Sequence, residues 1–307
     1  MTESAAGPGL TGPAEGQTID GDSLFVRLAN FVKLPHTVFA LPFALVGVVY
    51  ASFATAVTPK HVVLVVVAFT AARFAAMGFN RIVDRTFDAV NPRTKERELP
   101  AGKLSLLQAR TSVAVASIVF VSTAGLLNSL CLKLAPFALA WILGYSYSKR
   151  FTSWPHIWLG LSLAIAPAGG YLAVTGSWPE PWWTLPVLAV AVMTWVGGFD
   201  MFYALPDEEF DRQQGLKSAV VLLGKKWSIL VAKTLHGATI GALLLFGWAA
   251  GFGAWYFAGV VLAALILAWE HQLVKPDDLS KLDAAFFTMN GVMSIIVFSG
   301  ALVDRIV

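Results

Sequence analysis

Two groups of carboxylates in this chain have a spacing that suits metal-assisted phosphate chemistry. Asn80, Asp84 and Asp88 recur every four residues, and Asp207 and Asp211 repeat the interval. On a helix, residues four apart share a face, with neighbours about 5–6 Å apart. Like charges in such a row repel unless something cationic lies between them. Hard oxygen ligands on one face suit Mg²⁺, which takes one or two carboxylates and completes its shell with phosphate and water. Taken alone, the first trio also fits a solvated helix end, with Asp84 and Asp88 paired to Arg81 and Arg85. Two carboxylate pairs facing one cavity make the stronger case, a two-sided clamp for a diphosphate. Glu208 and Glu209 fall off that face and read as solvated. Asp200 lies seven residues before Asp207, about two turns away on a similar face. That position suits substrate binding, steering of the Tyr203 hydroxyl, or a satisfied interhelical hydrogen bond.

Acids alone would overcharge such a site. Arg93, Arg97, Lys149, Arg150 and Lys217 are the cations available to hold phosphate oxygens. Arg suits bidentate phosphate binding, and Lys acts as a point charge. Lys149 ranks first, because it follows Tyr145 by four residues at a helix end. Other chemistries find no support. Cys131 is the one cysteine, which excludes an intrachain disulfide and a Cys-based metal site. His36, His156, His236 and His271 are scattered without His-x-x-x-His spacing, so a zinc site is not expected. No glycine-rich phosphate loop appears in a strand–turn–helix context.

The elements that must position these residues are membrane helices. Of 307 residues, 57% are hydrophobic and 13% charged, against about 25% charged in soluble domains. The mean hydropathy is +0.68. A spanning helix needs about 20 mostly apolar residues. About nine such runs occur, near 36–57, 61–82, 107–127, 129–147, 155–175, 182–204, 226–249, 253–271 and 284–303. The fold class expected is therefore all-α, a polytopic membrane bundle. Residues 23–307 read as one transmembrane domain, and polar residues 1–22 as a disordered cytoplasmic tail. Lys and Arg crowd alternate loops, with Lys60, Lys133 and Arg305 alone on the other side. The positive-inside rule then puts the N-terminus in the cytoplasm and the C-terminus outside. It also explains the basic pI without nucleic acid. The long connections 83–106 and 205–225 fall on the cytoplasmic side and carry both acid groups. Gly169-Gly170, after Pro167, and Gly197-Gly198 are expected to permit close helix approach or a local break.

At this point the chain resembles the UbiA family of membrane prenyltransferases, over roughly residues 24–304. The Asn80-x-x-x-Asp84-x-x-x-Asp88 run, continuing into Arg93-Thr-Lys-Glu-Arg97-Glu-Leu-Pro-Ala-Gly102, is similar to the family's first aspartate-rich motif. Asp200-x-x-Tyr203-x-x-x-Asp207-x-x-x-Asp211, followed by Gly215-Leu-Lys217, is similar to the second. Tyr145-Ser-Tyr-Ser-Lys149-Arg150 resembles the Tyr-x-x-x-Lys element between them. The resemblance implies nine helices around a central cavity and Mg²⁺ held by Asn80, Asp84, Asp88, Asp207 and Asp211. It implies transfer of a polyprenyl chain from its diphosphate to an aromatic acid in quinone biosynthesis, in a bacterial inner membrane. The segment Lys33-Leu-Pro-His36-Thr-Val-Phe-Ala-Leu-Pro, Arg81 after Asn80, and Glu98 where Pro is common resemble the 4-hydroxybenzoate-polyprenyltransferase-like (MqnP) branch. That likeness implies a substrate role for Lys33 and a dihydroxynaphthoate-type acceptor in place of 4-hydroxybenzoate. A haem O synthase-like enzyme is the nearest alternative. An ion-coupled secondary transporter is the rival from another class, and it predicts acids near the bilayer midplane within broken helices.

Overall fold

The longest elements of the computed structural model explain how charge is carried out of an apolar bundle. Helix α3 (Pro59–Val90) is 32 residues long, or about 48 Å at 1.5 Å per residue. The Thr58 hydroxyl caps it by accepting from the His61 N–H, while His61 Nδ1 accepts from the Thr58 N–H. Its apolar stretch, Pro59–Val83, is long enough to cross a bilayer. The remaining turns carry Asp84 and Asp88 beyond it without a break. The connection expected from residue 83 therefore begins only at Asn91. The polar residues continue the helix because they project from its end, where they need no apolar partner.

The structure describes residues 19–34, 37, 40–282 and 288–307. Most of the expected tail, residues 1–18, lies outside them, as does His36. Within that tail expectation, Ile19 is tied down: its N–H donates to Asn30 Oδ1 and its carbonyl accepts from Asn30 Nδ2. The other helices are α1 (Leu24–Phe31), α2 (Leu41–Ala51), α4 (Leu106–Leu127), α5 (Ser129–Gly144), α6 (Pro155–Thr175), α7 (Thr184–Ala204), α8 (Glu208–Gln213), α9 (Ala219–Ala250), α10 (Ala254–Leu273) and α11 (Asn290–Ile306). Among the described residues, seven segments are long and apolar enough to cross a membrane. The first expected run forms the 11-residue helix α2, and the last is represented by the 17-residue α11. Helix α9 starts seven residues before its expected run and kinks at Gly224, where φ is 76°.

Helix α7 stands at the centre. Two-thirds of its most apolar stretch (67%) is buried, against 39% or less in the other six segments. Trp195 on α7 is fully buried against Phe43 of α2. Its indole N–H donates to Asn290 Oδ1 of α11, whose amide donates in turn to Glu270 of α10. These bonds link three helices through groups that lipid would not satisfy.

Helices α2 and α6 approach through glycine. A Cβ on Gly47 would lie 2.0 Å from the Pro167 carbonyl, and one on Gly170 2.1 Å from the Ala44 carbonyl. Gly198 is equally tight against His236, whereas Gly169 faces open space. The expected glycine contacts thus hold for Gly170 and Gly198 and fail for Gly169. Overpacking costs about 1–3 kcal/mol. Gly170→Ala should lower the melting temperature in detergent by several degrees, while Gly169→Ala leaves it unchanged. Equal effects from the two would contradict the contact.

Candidate functional site

The two acid-bearing segments meet at one end of the bundle. Asn80, Asp84 and Asp88 lie along the end of α3, and the Asn80 amide donates to Asp84 Oδ2 at 2.9 Å. Asp200 and Tyr203 lie in the last turns of α7. A 3₁₀ turn, Leu205–Asp207, bends the chain at Pro206 into α8, which carries Asp211. Tyr145–Arg150 is also a 3₁₀ turn. This corrects the α-helical stacking expected for Tyr145 and Lys149. The tighter winding separates their directions, yet both line the same polar cavity. The Lys217 N–H donates to the Lys149 carbonyl at 2.7 Å and ties the loop after α8 to this turn.

Each carboxylate of the two pairs has a cation. Arg150 approaches Asp84 at 3.4 Å, Arg97 meets Asp88 at 2.7 Å, and Lys149 meets Asp211 at 2.8 Å. Arg93 grips Asp207 with two nitrogens, Nε to Oδ1 at 3.0 Å and NH2 to Oδ2. It also donates to the Tyr203 hydroxyl and lies over that ring. The alternative pairing with Arg81 and Arg85 does not form. Arg85 donates instead to the Ile82 carbonyl, and Arg81 is buried against the bundle.

Burial, and after it the neighbouring Asp88 carboxylate, push the Asp84 carboxyl up to about 6, against pulls from Lys149, Arg150 and Asn80. A divalent cation at this carboxylate would relieve both causes. Among the described residues, no three His, Cys, Asp or Glu side chains converge on a single metal position. Hard oxygen donors facing a cavity from two sides still fit Mg²⁺, which takes most of its shell from substrate and water.

The polar cavity holds about 150 Å³. It adjoins an apolar cavity of about 660 Å³ between α3, α4, α5 and α6. Asn80, Arg97, Tyr145, Asp200 and Tyr203 line both. Two expected substrate residues lie away from the acid pairs. Lys33 lines the apolar cavity, away from the acid pairs, together with Arg73 and Arg81. Lys217 lines neither cavity, and its ammonium points to the Phe151 carbonyl at 3.5 Å. The loop after α8 turns it away. Glu209 is exposed, as its off-face position suggested, whereas Glu208 pairs with Arg212 and its side chain is only 17% exposed.

Sequence reasoning missed three residues. Asn91 ends α3, and its amide donates to Asp207 Oδ1 at 3.4 Å; the Asn-Pro-Arg run after an acid pair was the available signal. His156 Nδ1 lies 2.6 Å from Asp200 Oδ2, and no sequence spacing announces that pair. Arg73 is an arginine within an apolar run, a signal in itself.

Over residues 40–292 the chain matches the UbiA prenyltransferase family. It belongs to that family. This UbiA member is 29% identical over 284 residues to a 4-hydroxybenzoate octaprenyltransferase of Coxiella burnetii strain RSA 331, covering 92% of this chain and 96% of the relative. A protein of the same name from Stutzerimonas stutzeri is 30% identical over 79% of this chain and 78% of its own. Among solved structures, a UbiA homolog from Aeropyrum pernix K1 superposes with a TM-score of 0.81 at 33% identity, over 88% of this chain and 98% of that one. A UbiA homolog from Archaeoglobus fulgidus, solved with GPP and Mg²⁺, gives a TM-score of 0.68 at 18% identity, over 92% and 100%. The second likeness speaks for the fold.

Proposed function

We propose that this UbiA-family protein transfers a polyprenyl group from its diphosphate to the ring of an aromatic acid in quinone biosynthesis, with Mg²⁺ as cofactor. The observation that carries the reading is the junction of the two cavities. A prenyl diphosphate has the same division, a charged head and a long apolar chain. Carboxylates and cations surround the first cavity, and apolar side chains surround most of the second.

Asn80, Asp84, Asp88, Asp207 and Asp211 are the oxygen donors for the metal. Bound Mg²⁺ supplies positive charge that stabilises the departing pyrophosphate. Arg93, Arg97, Lys149 and Arg150 exchange their carboxylate partners for phosphate oxygens, with Arg engaging them bidentately. The allylic C–O bond lies at the junction, beside Tyr145 and Tyr203. Their rings, with Phe199 further along the apolar wall, stabilise the developing allylic cation and keep water from it. The electron-rich acceptor ring then attacks, and Asp200, also at the junction, takes the ring proton. Lys33, Arg73 and Arg81 on the cavity wall offer positive charge to the acceptor's carboxylate.

The names of the Coxiella and Stutzerimonas relatives point to 4-hydroxybenzoate as acceptor. Arg81 after Asn80, and Glu98 in place of Pro, resemble the 4-hydroxybenzoate-polyprenyltransferase-like (MqnP) branch, and that likeness favours a dihydroxynaphthoate-type acid. The setting is a bacterial inner membrane, with the N-terminus and site cytoplasmic and the C-terminus outside. The test offers membranes carrying the protein geranyl diphosphate or a longer donor, with both acids in competition, and identifies products by mass spectrometry. The expected result is a singly prenylated acid, the dihydroxynaphthoate product in excess, and loss of both products in EDTA. No prenylated acid from either acceptor, or undiminished product in EDTA, would overturn the reading.

A further inference from the structure

We infer that His156 is a positioning residue for Asp200, forming with it a dyad that removes the acceptor's ring proton; this rests on the prenyl-transfer reading above. Among the described residues, Asp200 is the one carboxylate that lines the apolar cavity as well as the polar one. Asp84, Asp88, Asp207 and Asp211 line the polar cavity alone. An aromatic ring presented to the allylic carbon at the junction therefore meets Asp200 and none of the paired acids. Those four are also matched with cations, whereas the partner of Asp200 is an imidazole.

His156 stands in the first turn of α6, after Pro155, and is 0% exposed. Its Nδ1 lies 2.6 Å from Asp200 Oδ2. Its Nε2 is buried and has no hydrogen-bond partner among the described residues. A fully buried histidine with one nitrogen unsatisfied costs stability, and the short bond to Asp200 is the one hydrogen bond its ring makes among the described residues. The bond to Oδ2 fixes the carboxylate plane, and Oδ1 makes no hydrogen bond among the described residues. A base oriented by a second group in this way is the general arrangement for proton removal.

The step balances without a further reagent. The allylic C–O bond breaks, and its electron pair leaves with pyrophosphate. A ring π pair forms the new C–C bond. The C–H pair returns to the ring, restoring aromaticity, and the proton goes to Asp200 Oδ1. The His156 imidazole keeps its short bond to Oδ2 while the carboxylate becomes a neutral carboxylic acid, so no further charge has to be placed.

The test uses the full chain in membranes, with ring-deuterated acceptor and the acid that the wild-type protein turns over. His156→Ala should lower kcat by about 10²-fold while KM for the prenyl diphosphate stays within about twofold. The primary isotope effect on ring C–H cleavage should at least double over the wild-type value, because proton removal becomes slower. His156→Asn, whose amide can still hold Oδ2, should recover about tenfold of the rate. It also serves as the working variant if the alanine protein does not fold. A folded variant with slowed turnover and an unchanged isotope effect would mean a structural role alone and overturn the inference, as would unchanged kcat. If the wild-type protein forms no prenylated acid, the prenyl-transfer reading fails instead, and that outcome is visible before any His156 variant is made.

Discussion

Asp84→Asn should lower Mg²⁺-dependent prenyl transfer by about 10²–10³-fold and leave the folded protein nearly as stable as the parent. The amide keeps the volume of the side chain and can still meet Asn80, which donates to Asp84 at 2.9 Å. It removes one negative charge from a position where burial and Asp88 already disfavour it. The partner lost is Arg150, at 3.4 Å, with both side chains about a third exposed. A pair of that kind contributes about 0–1 kcal/mol. Activity should therefore fall far more than stability does. Pyrophosphate release from geranyl diphosphate, with and without EDTA, gives the first quantity, and the melting temperature in detergent gives the second. Full, EDTA-sensitive activity in Asp84→Asn would remove this carboxylate from the metal site.

The second large effect concerns Arg93 and Asp207, and here stability and activity separate in another way. Both side chains are nearly buried, at 12% and 10% exposure, and they meet through two hydrogen bonds. Arg93→Met leaves the Asp207 carboxylate buried with only the longer Asn91 contact. Breaking such a pair from one side costs about 3–5 kcal/mol. Replacing both partners by apolar residues of similar volume is often neutral. The double variant Arg93→Met/Asp207→Leu should therefore regain most of the stability lost by Arg93→Met. It should remain inactive, because the proposed function gives Arg93 to the phosphate and Asp207 to the metal. Denaturant or thermal unfolding in detergent, together with the product assay, separates the two effects. A double variant that recovers activity along with stability would show that the pair is only structural.

The site was legible where function depends on local period. Asn80, Asp84 and Asp88 needed only an unbroken helix to share a face, and α3 provides it. Arg93, Arg97, Lys149 and Arg150 all reach the carboxylates, because the connections that hold them lie at the same bundle end. Lys217 shared that address and still turned away, since a loop's direction follows its own hydrogen bonds. Lys33 lies along the apolar wall, a placement that no spacing could give.

The amino-acid sequence by itself determined the membrane class, the helical class and the clustering of acids with bases along the chain. Hydropathy and the four-residue interval act over short distances, and a chain writes both directly. The tertiary structure alone decided which cation faces which carboxylate, and it turned Tyr145–Arg150 into a 3₁₀ turn instead of a continued α-helix. It brought His156 to Asp200 across 44 residues of chain. It also made Asp200 the carboxylate shared by the two cavities. Those outcomes depend on where helices cross, and crossings are set by contacts such as Gly47 and Gly170 against opposing carbonyls. The two aspartate pairs name the chemistry in the sequence; the packing of α6 against α7 sets His156 beside Asp200.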